Sequence, residues 1–173
     1  AQIVNKVRAY AKQHSAEKVR VNLLALLEKS IQKFKQIKGS GISFNLSCSE
    51  VIVVEVDPLE SDLVLYNLFK NSLEACKNES APLISITVEE SEQEAVIQIR
   101  DNGPEISEDL VNTIFIPKVS QKTDGLGLGL SICKALAESQ GGCLSAIRNA
   151  EGHLVMKLCL LKADSVKEIG ENQ

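Results

Sequence analysis

Along this chain apolar residues recur at intervals of three and four over four stretches and at intervals of two over six others, and each change of period marks a new element. Ile3, Val4, Val7, Tyr10 and Ala11 predict a helix over 1–14, and a polar break from Gln13 to Lys18 follows it. Leu23, Leu24, Leu27, Ile31 and Phe34 predict a second helix, stopped by Gly39 and Gly41. The period then falls to two: Ile42, Phe44 and Leu46 alternate with Ser43, Asn45 and Ser47, and Ile52, Val54 and Val56 with Val51, Val53 and Glu55, the pattern of two strands. Asp57-Pro58 fits an N-cap with proline at the first helical position, and a long helix is expected from there to about Asn78. Beyond a turn at Ser80 to Pro82, Ile84, Ile86 and Val88 mark a third strand, and Ala95, Ile97 and Ile99 a fourth. Residues 101–124 are polar, with room for one short helix. A glycine-rich loop comes next, then a helix through Leu130, Cys133, Leu136 and Ala137 that ends at Gly141 and Gly142. Two last strands, about 143–149 and 154–161, are joined by Ala150-Glu151-Gly152.

Helices and strands are mixed without strict alternation, and several strand pairs are close enough in sequence for antiparallel hairpins. This predicts an α+β fold, a two-layer sandwich of about three helices on a mixed, mostly antiparallel sheet of about five strands, rather than a doubly wound parallel sheet. The polar segment 101–124, about 24 residues, is longer than structural connections usually are and reads as a functional lid. The helix over 1–14 has little to bury against within one domain and is assigned to a neighbouring module or a dimer interface. The chain opens at Ala1 within that helical pattern, as a piece of a longer protein would.

Composition narrows the picture. At 173 residues and 44% hydrophobic content the chain suits one ordinary domain, and with two Tyr, four Phe and no Trp its core must be built from Leu, Ile, Val and Ala. A net charge of −4, without a basic cluster interleaved with aromatics, argues against nucleic acid as a partner. Lys29, Lys33, Lys35 and Lys38 read as the solvated face of a helix. Five cysteines without a CxxC pair point to a reducing compartment and to use as small core residues. His14 and His153 lack the neighbours a zinc site needs. No apolar run approaches the ~18 residues of a membrane span.

Three features carry candidate chemistry. Gly125, Gly127 and Gly129 alternate with Leu126, Leu128 and Leu130 directly before a helix. Repeated glycine suggests positive φ or a ligand close to the backbone, and a helix start offers unpaired N–H groups and the positive end of a dipole to a phosphate. Tight helix–strand packing is the plain alternative. The spacing lacks the GK[ST] ending of a P-loop, and the preceding Ser120 to Asp124 is too polar for the buried strand of a dinucleotide fold. On the long helix, Leu65, Leu68, Phe69, Ser72, Leu73 and Cys76 form an apolar face, with Asn67, Asn71, Glu74 and Asn78 in a stripe on the other side. A solvated stripe would explain Asn78 and Glu74. Asn67 and Asn71 place two amide oxygens in line one turn apart, neutral hard ligands that suit Mg²⁺ shared with phosphates. Asp101 ends the fourth strand in phase with Ala95, Ile97 and Ile99, so its carboxylate points toward the buried layer and needs donors, which an amine such as that of adenine would supply. Asp-Asn-Gly is also a strong hairpin signal, but Pro104 to Ile114 looks like a helix start and not a return strand.

In this order the pieces resemble the catalytic and ATP-binding domain of sensor histidine kinases, over about 20–162. LYNLFKNSLEA (65–75) resembles the family's N box, DNGPEIS (101–107) its first glycine box, IFIPKVSQK (114–122) its phenylalanine box and lid, and GLGLGLSI (125–132) its second glycine box. Glu74 and the short lid are more similar to the nitrogen- and oxygen-sensing branch. The resemblance implies the Bergerat fold shared with gyrase and Hsp90, and an ATP site between the long helix and the lid. Asn71 would hold Mg²⁺ and Asn67 the metal's water shell; Asp101 would bind the adenine amine beside a backbone turn at Gly103. Lys122, and with it Lys70, would approach the phosphates, wrapped by Gly125, Leu126, Gly127, Leu128 and Gly129, with Asn67 and Lys122 in catalytic roles. Phosphoryl transfer depends mainly on positioning and charge neutralisation, so this kit suffices.

The resemblance also implies a division into 1–19, the end of a dimerisation and phosphoacceptor hairpin with its linker; 20–163, the ATP-binding domain; and 164–173, a flexible tail. The nucleophilic histidine would then lie upstream of Ala1, the partners would be the hairpin of the same or a partner subunit and a response-regulator receiver domain, and the full-length protein would be a homodimer. A cytoplasmic location is implied for this domain, with an inner-membrane anchor open for the full-length protein.

Two positions depart from the family. Glu105 stands where the first glycine box has its second glycine, and His153 stands near a position that is usually small. A glycine at 105 suggests positive φ or backbone close under the adenine, so Glu105→Gly is expected from sequence to tighten ATP binding several-fold, while Pro104-Glu105 suits the first turn of a helix. The alternatives are a degenerate nucleotide-binding module, a hydrolytic relative of the gyrase type, disfavoured because Asn67 replaces the water-activating glutamate, and a scaffold domain, which would not need all four boxes.

Overall fold

The computed structural model describes residues 17–39, 41–48, 51–116 and 129–163. The helix expected over 1–14, most of the lid, the loop residues Lys122, Gly125, Leu126, Gly127 and Leu128, and the tail 164–173 lie outside the described residues.

The elements are β1 (Val19–Asn22), α1 (Leu23–Lys38), β2 (Ser43–Ser47), β3 (Val53–Val56), α2 (Pro58–Ala75), β4 (Leu83–Glu90), β5 (Glu94–Asp101), α3 (Glu108–Thr113), α4 (Gly129–Ser139), β6 (Cys143–Arg148) and β7 (Leu154–Leu161). Five strands form one sheet in the order β2-β4-β5-β7-β6, in which β2 and β4 are parallel and every other neighbour antiparallel. One face carries Ile84, Ile86, Ile97, Ile99, Leu144, Met156 and Leu158 against Leu23, Leu27 and Phe34 of α1, Val64, Leu65, Leu68 and Phe69 of α2, and Cys133 and Leu136 of α4. The other face presents Ser43, Asn45, Ser85, Thr87, Gln98, Arg100, Ser145 and Lys157, the polar half of each alternation. This is the expected two-layer α+β sandwich.

β1 is not expressed in the hydrophobic pattern. Its residues are exposed except for half-buried Val21, so the four residues carry no alternation of burial. It exists because β3, lying outside the large sheet, takes it as an antiparallel partner from Val19↔Val56 to Asn22↔Val53. A bridge from Val54 to Lys162 and the bond from Ala163 N to Val53 O, 2.9 Å, tie this ribbon to the end of β7.

Local chemistry sets the helix starts. Asn22 caps α1 by accepting from Ala25 N at 3.0 Å, and Asp57 caps α2 by accepting from Leu59 N and Glu60 N, with Pro58 in the first turn. α2 ends at Ala75, a turn earlier than expected, because Cys76 to Asn78 form a turn. Between α1 and α2, Ser30 Oγ donates to Asp62 Oδ1 at 2.6 Å and Lys33 pairs with the same carboxylate. Lys33 is therefore a clamp as well as a solvated residue, and Lys35 lies 5.5 Å from the Phe44 ring centre. Burial opposes ionisation of Asp62, but the hydrogen bonds of Lys33 and Ser30 and the charges of Lys33 and Lys29 outweigh it and lower its pKa. A lowered carboxylate stabilises the fold above its unfolded pKa, and that contribution is lost as pH falls through the folded value.

Candidate functional site

α2 forms one wall of the site. Asn67 is half-buried; its Nδ2 donates to Leu63 O at 2.8 Å, which turns Oδ1 away from its own helix. That oxygen lies 3.4 Å from where a Cβ on Gly129 would stand. The N-terminus of α4 and the asparagine stripe thus meet, although they are 62 positions apart in sequence (129 − 67). Asn71, one turn on, is exposed. Lys70 is partly exposed and lies 3.8 Å from Glu74 in an i,i+4 pair, so its ammonium has a carboxylate neighbour within the described residues.

The far end of α2 meets the end of β5. Asp101 is the last residue of that strand, opposite Ile84 on the buried face, and its Oδ1 accepts from Gly103 N at 3.0 Å. Gly103 is buried, and a Cβ there would lie 2.8 Å from that same oxygen and 3.1 Å from the Ala75 backbone. Any larger residue would push against the Asp101 carboxylate and the end of α2. Asn67 and Ala75, eight residue steps apart, lie about 12 Å apart along α2, so the amide oxygen facing a helix N-terminus sits at mid-helix and the half-buried Asp101 carboxylate of β5 stands near the C-terminal end, beside Gly103. A nucleoside triphosphate, phosphates at one end and amine at the other, has that layout.

Residues that sequence reasoning left out hold the Asp101 loop in place. Asn102, read only as part of a turn signal, accepts from Leu83 N at 2.8 Å, donates through Nδ2 to Ala81 O at 2.9 Å, and accepts from Cys76 Sγ at 3.3 Å. On the opposite side, the carbonyl of Gly103 can only accept, so His153 Nδ1 donates to it, at 3.0 Å. Ile106 N donates to Gly152 O at 2.9 Å and Arg148 Nε to Ile106 O at 2.8 Å. His153, in sequence a departure from the family without the neighbours of a zinc site, is a support of the loop that carries Asp101.

The structure corrects the reading of Glu105. No described non-glycine residue has positive φ, so glutamate strains nothing here. Nor does it open a helix: α3 begins at Glu108, capped by Ser107. The side chain runs toward the β6–β7 turn, 3.9 Å from Arg148 and against Gly152, whose φ of +90° closes that turn. With 70% of the Glu105 side chain exposed, this pair contributes at most about 1 kcal/mol. Glu105→Gly is therefore expected to leave ATP affinity within two-fold and to lower the melting temperature by a few degrees. Calorimetric titration and a thermal melt check both, and a several-fold tightening would show that the carboxylate does reach the nucleotide.

Cys133, inside α4, is buried, and burial pushes its thiol up to about 12, which makes it an inert packing group.

A two-layer sandwich with an asparagine-bearing helix, a glycine-opened helix at its middle and a strand-end aspartate at its end is the arrangement expected of an ATP-binding domain of the histidine kinase, gyrase and Hsp90 class. The match to known proteins agrees: residues 56–163 fit the family model described as histidine kinase-, DNA gyrase B- and HSP90-like ATPase, and the chain belongs to that family. The catalytic domain of histidine kinase ThkA superposes with a TM-score of 0.71 at 32% identity, covering 84% of this chain and 96% of that one. Sensor protein KdpD of Clostridium acetobutylicum is 34% identical over 119 residues, 65% of this chain and 13% of its own length. Sensor protein FixL of Bradyrhizobium diazoefficiens is 26% identical over 168 residues, 94% of this chain and 33% of its own length. The chain thus spans a third or less of these two curated relatives.

Proposed function

We propose that this chain is the catalytic domain of a sensor histidine kinase, which presents the γ-phosphate of Mg-ATP to a histidine on a separate helical hairpin. The observation that supports it most is the placement of Asn67, midway along α2, against Gly129, and of Gly103 against Ala75 at the C-terminal end of that helix, with Asp101 beside Gly103. Asp101 would accept a hydrogen bond from the adenine amine, and Asn71 with Asn67 would hold Mg²⁺ and its waters. The residues fit the metal, because amide oxygens are neutral hard donors that leave room for water and phosphate. Bound Mg-ATP supplies the phosphoryl group and neutralises its charge; the chain orients it. Lys122, with Lys70, would meet the phosphates inside the wrap of Gly125, Leu126, Gly127, Leu128 and Gly129. Asn67 offers no carboxylate to activate water, which favours transfer over hydrolysis.

In this reading 1–19 is the end of the phosphoacceptor hairpin, 20–163 the ATP-binding domain and 164–173 a tail. The partners would be that hairpin, in a homodimer, and a receiver domain, and the domain would lie in the cytoplasm, where an anchored full-length protein would reach it. Among the described residues no helix is long and apolar enough to cross a membrane.

Two measurements test the reading. The purified chain should bind Mg-ATP yet acquire no acid-labile label from γ-labelled ATP, because its acceptor lies on another segment; self-labelling of this chain would overturn that. Asn71→Ala should weaken ATP binding about ten-fold, roughly 1.4 kcal/mol, in Mg²⁺ and little in EDTA. Equal losses in both buffers would make Asn71 a packing residue.

A further inference from the structure

Two cysteines lie outside the nucleotide site and face each other across the last hairpin. Cys143 opens the edge strand β6, Cys159 lies near the end of β7, and the register pairs them directly. Their neighbours Leu144 and Leu158 point into the core, so both thiols stand on the polar face of the sheet, away from the helices. Cys143 is exposed and Cys159 half-buried, and both are free thiols. By contrast, Cys76 and Cys133 are buried.

We propose that Cys143 and Cys159 are a peroxide-reactive dithiol that closes reversibly into a cross-strand disulfide. Directly opposed residues in an antiparallel pair have Cα atoms about 4.5–5.5 Å apart, inside the 4.4–6.8 Å that a disulfide spans, so the backbone need not move far. The kind of pair also matters. Asn149 N bonds to His153 O at 3.0 Å, and alternation from there makes Ile147↔Val155, Ser145↔Lys157 and Cys143↔Cys159 hydrogen-bonded pairs. Cβ atoms are farther apart in such pairs than in the non-bonded kind, so the cross-link is strained. Strained, exposed disulfides are the readily reduced ones, which suits a reversible response in a thiol-rich compartment.

The two thiols divide the chemistry. Burial, with Cys143 close by, pushes Cys159 up to about 12, so it stays protonated while the exposed Cys143 meets the oxidant. The Cys143 thiolate gives an electron pair to one oxygen of hydrogen peroxide; the S–O bond forms, the O–O bond breaks and, with a proton, water leaves. The Cys159 sulfur then attacks the Cys143 sulfur. The S–S bond forms, the S–O bond breaks, and the departing hydroxide takes the Cys159 proton as a second water. Two thiols and one peroxide give one disulfide and two waters, with two electrons passing from sulfur to oxygen.

The test treats the purified chain with one equivalent of hydrogen peroxide, alkylates it under denaturing conditions and maps its peptides by mass. The expected result is a monomer lighter by two hydrogens, with two fewer alkylated thiols, a Cys143–Cys159 linked peptide, and full recovery in reduced glutathione. Cys143→Ser should abolish the thiol loss, and Cys159→Ser should stop at the Cys143 sulfenic acid with one equivalent and go on to sulfinic acid when a second equivalent is added. Circular dichroism confirms that both variants fold, and the wild-type map stands by itself if one does not. A link between any other pair, sulfinic acid at Cys143 of the wild type without a link, or five intact thiols would each overturn the proposal.

Discussion

Replacing Asp101 by alanine should lower the affinity for ATP and for ADP alike by about 100-fold, close to 2.7 kcal/mol. Two losses combine. A carboxylate that accepts a hydrogen bond from a ligand is worth about 1.5–3 kcal/mol, because one partner is charged and both are partly shielded from water. The same Oδ1 also receives the Gly103 N–H at 3.0 Å, so its removal orphans a donor in a buried backbone turn. Asp101→Asn separates the two: its amide oxygen can still serve Gly103, while its amino group faces the adenine amine donor to donor. It should therefore bind ATP nearly as poorly as the alanine variant, yet melt closer to the parent. Discrimination should fall with it, since a site built to accept from an amine penalises a purine with a carbonyl at that position. Titrations with ATP, ADP and GTP decide this, and an unchanged ATP isotherm in either variant would remove Asp101 from the site.

The second large effect concerns stability. Phe34 is 1% exposed and meets Phe44, Tyr66 and Phe69 edge-on, with ring centres 6.0, 5.6 and 5.7 Å away; Phe44 and Phe69 lie 5.2 Å apart. This cluster pins α1 and α2 onto β2. Phe34→Ala leaves a void bordered by three rings and should cost about 3–5 kcal/mol, out of the roughly 5–15 kcal/mol that keep a domain folded. The melting temperature should fall by about 10–15 °C, with urea unfolding showing a lower midpoint at an unchanged slope. Nucleotide affinity of the folded fraction should stay near that of the parent, because Asn67, Asp101 and Gly129 are not members of this cluster. A loss below 1 kcal/mol would show that the cluster repacks and is not a fixed joint.

The alternation of apolar and polar positions was enough to assign six of the seven described strands, the helices α1, α2 and α4, and the α+β class, and Asp57-Pro58 marked the start of α2. Burial on one face is a property of each residue and its near neighbours, so it is written locally. Asn67, Asn71 and Asp101 stand out as candidates for the same reason: each breaks a local rule, two mediocre helix formers one turn apart and a carboxylate in phase with a buried face. Other features depend on pairs of residues far apart in the chain. β1 has almost no buried residue of its own and is a strand because β3 needs a partner. Glu105, read locally, looked like a strained glycine substitute or a helix start, and only the arrival of Arg148 and Gly152 from the last hairpin shows where its carboxylate goes. His153, Asn102 and the opposed Cys143 and Cys159 likewise acquire a role through the strand order β2-β4-β5-β7-β6, which brings the last hairpin beside the end of β5. Periodicity records which face of an element is buried; which distant groups then meet across that face is decided when the sheet closes and its hydrogen bonds set the register.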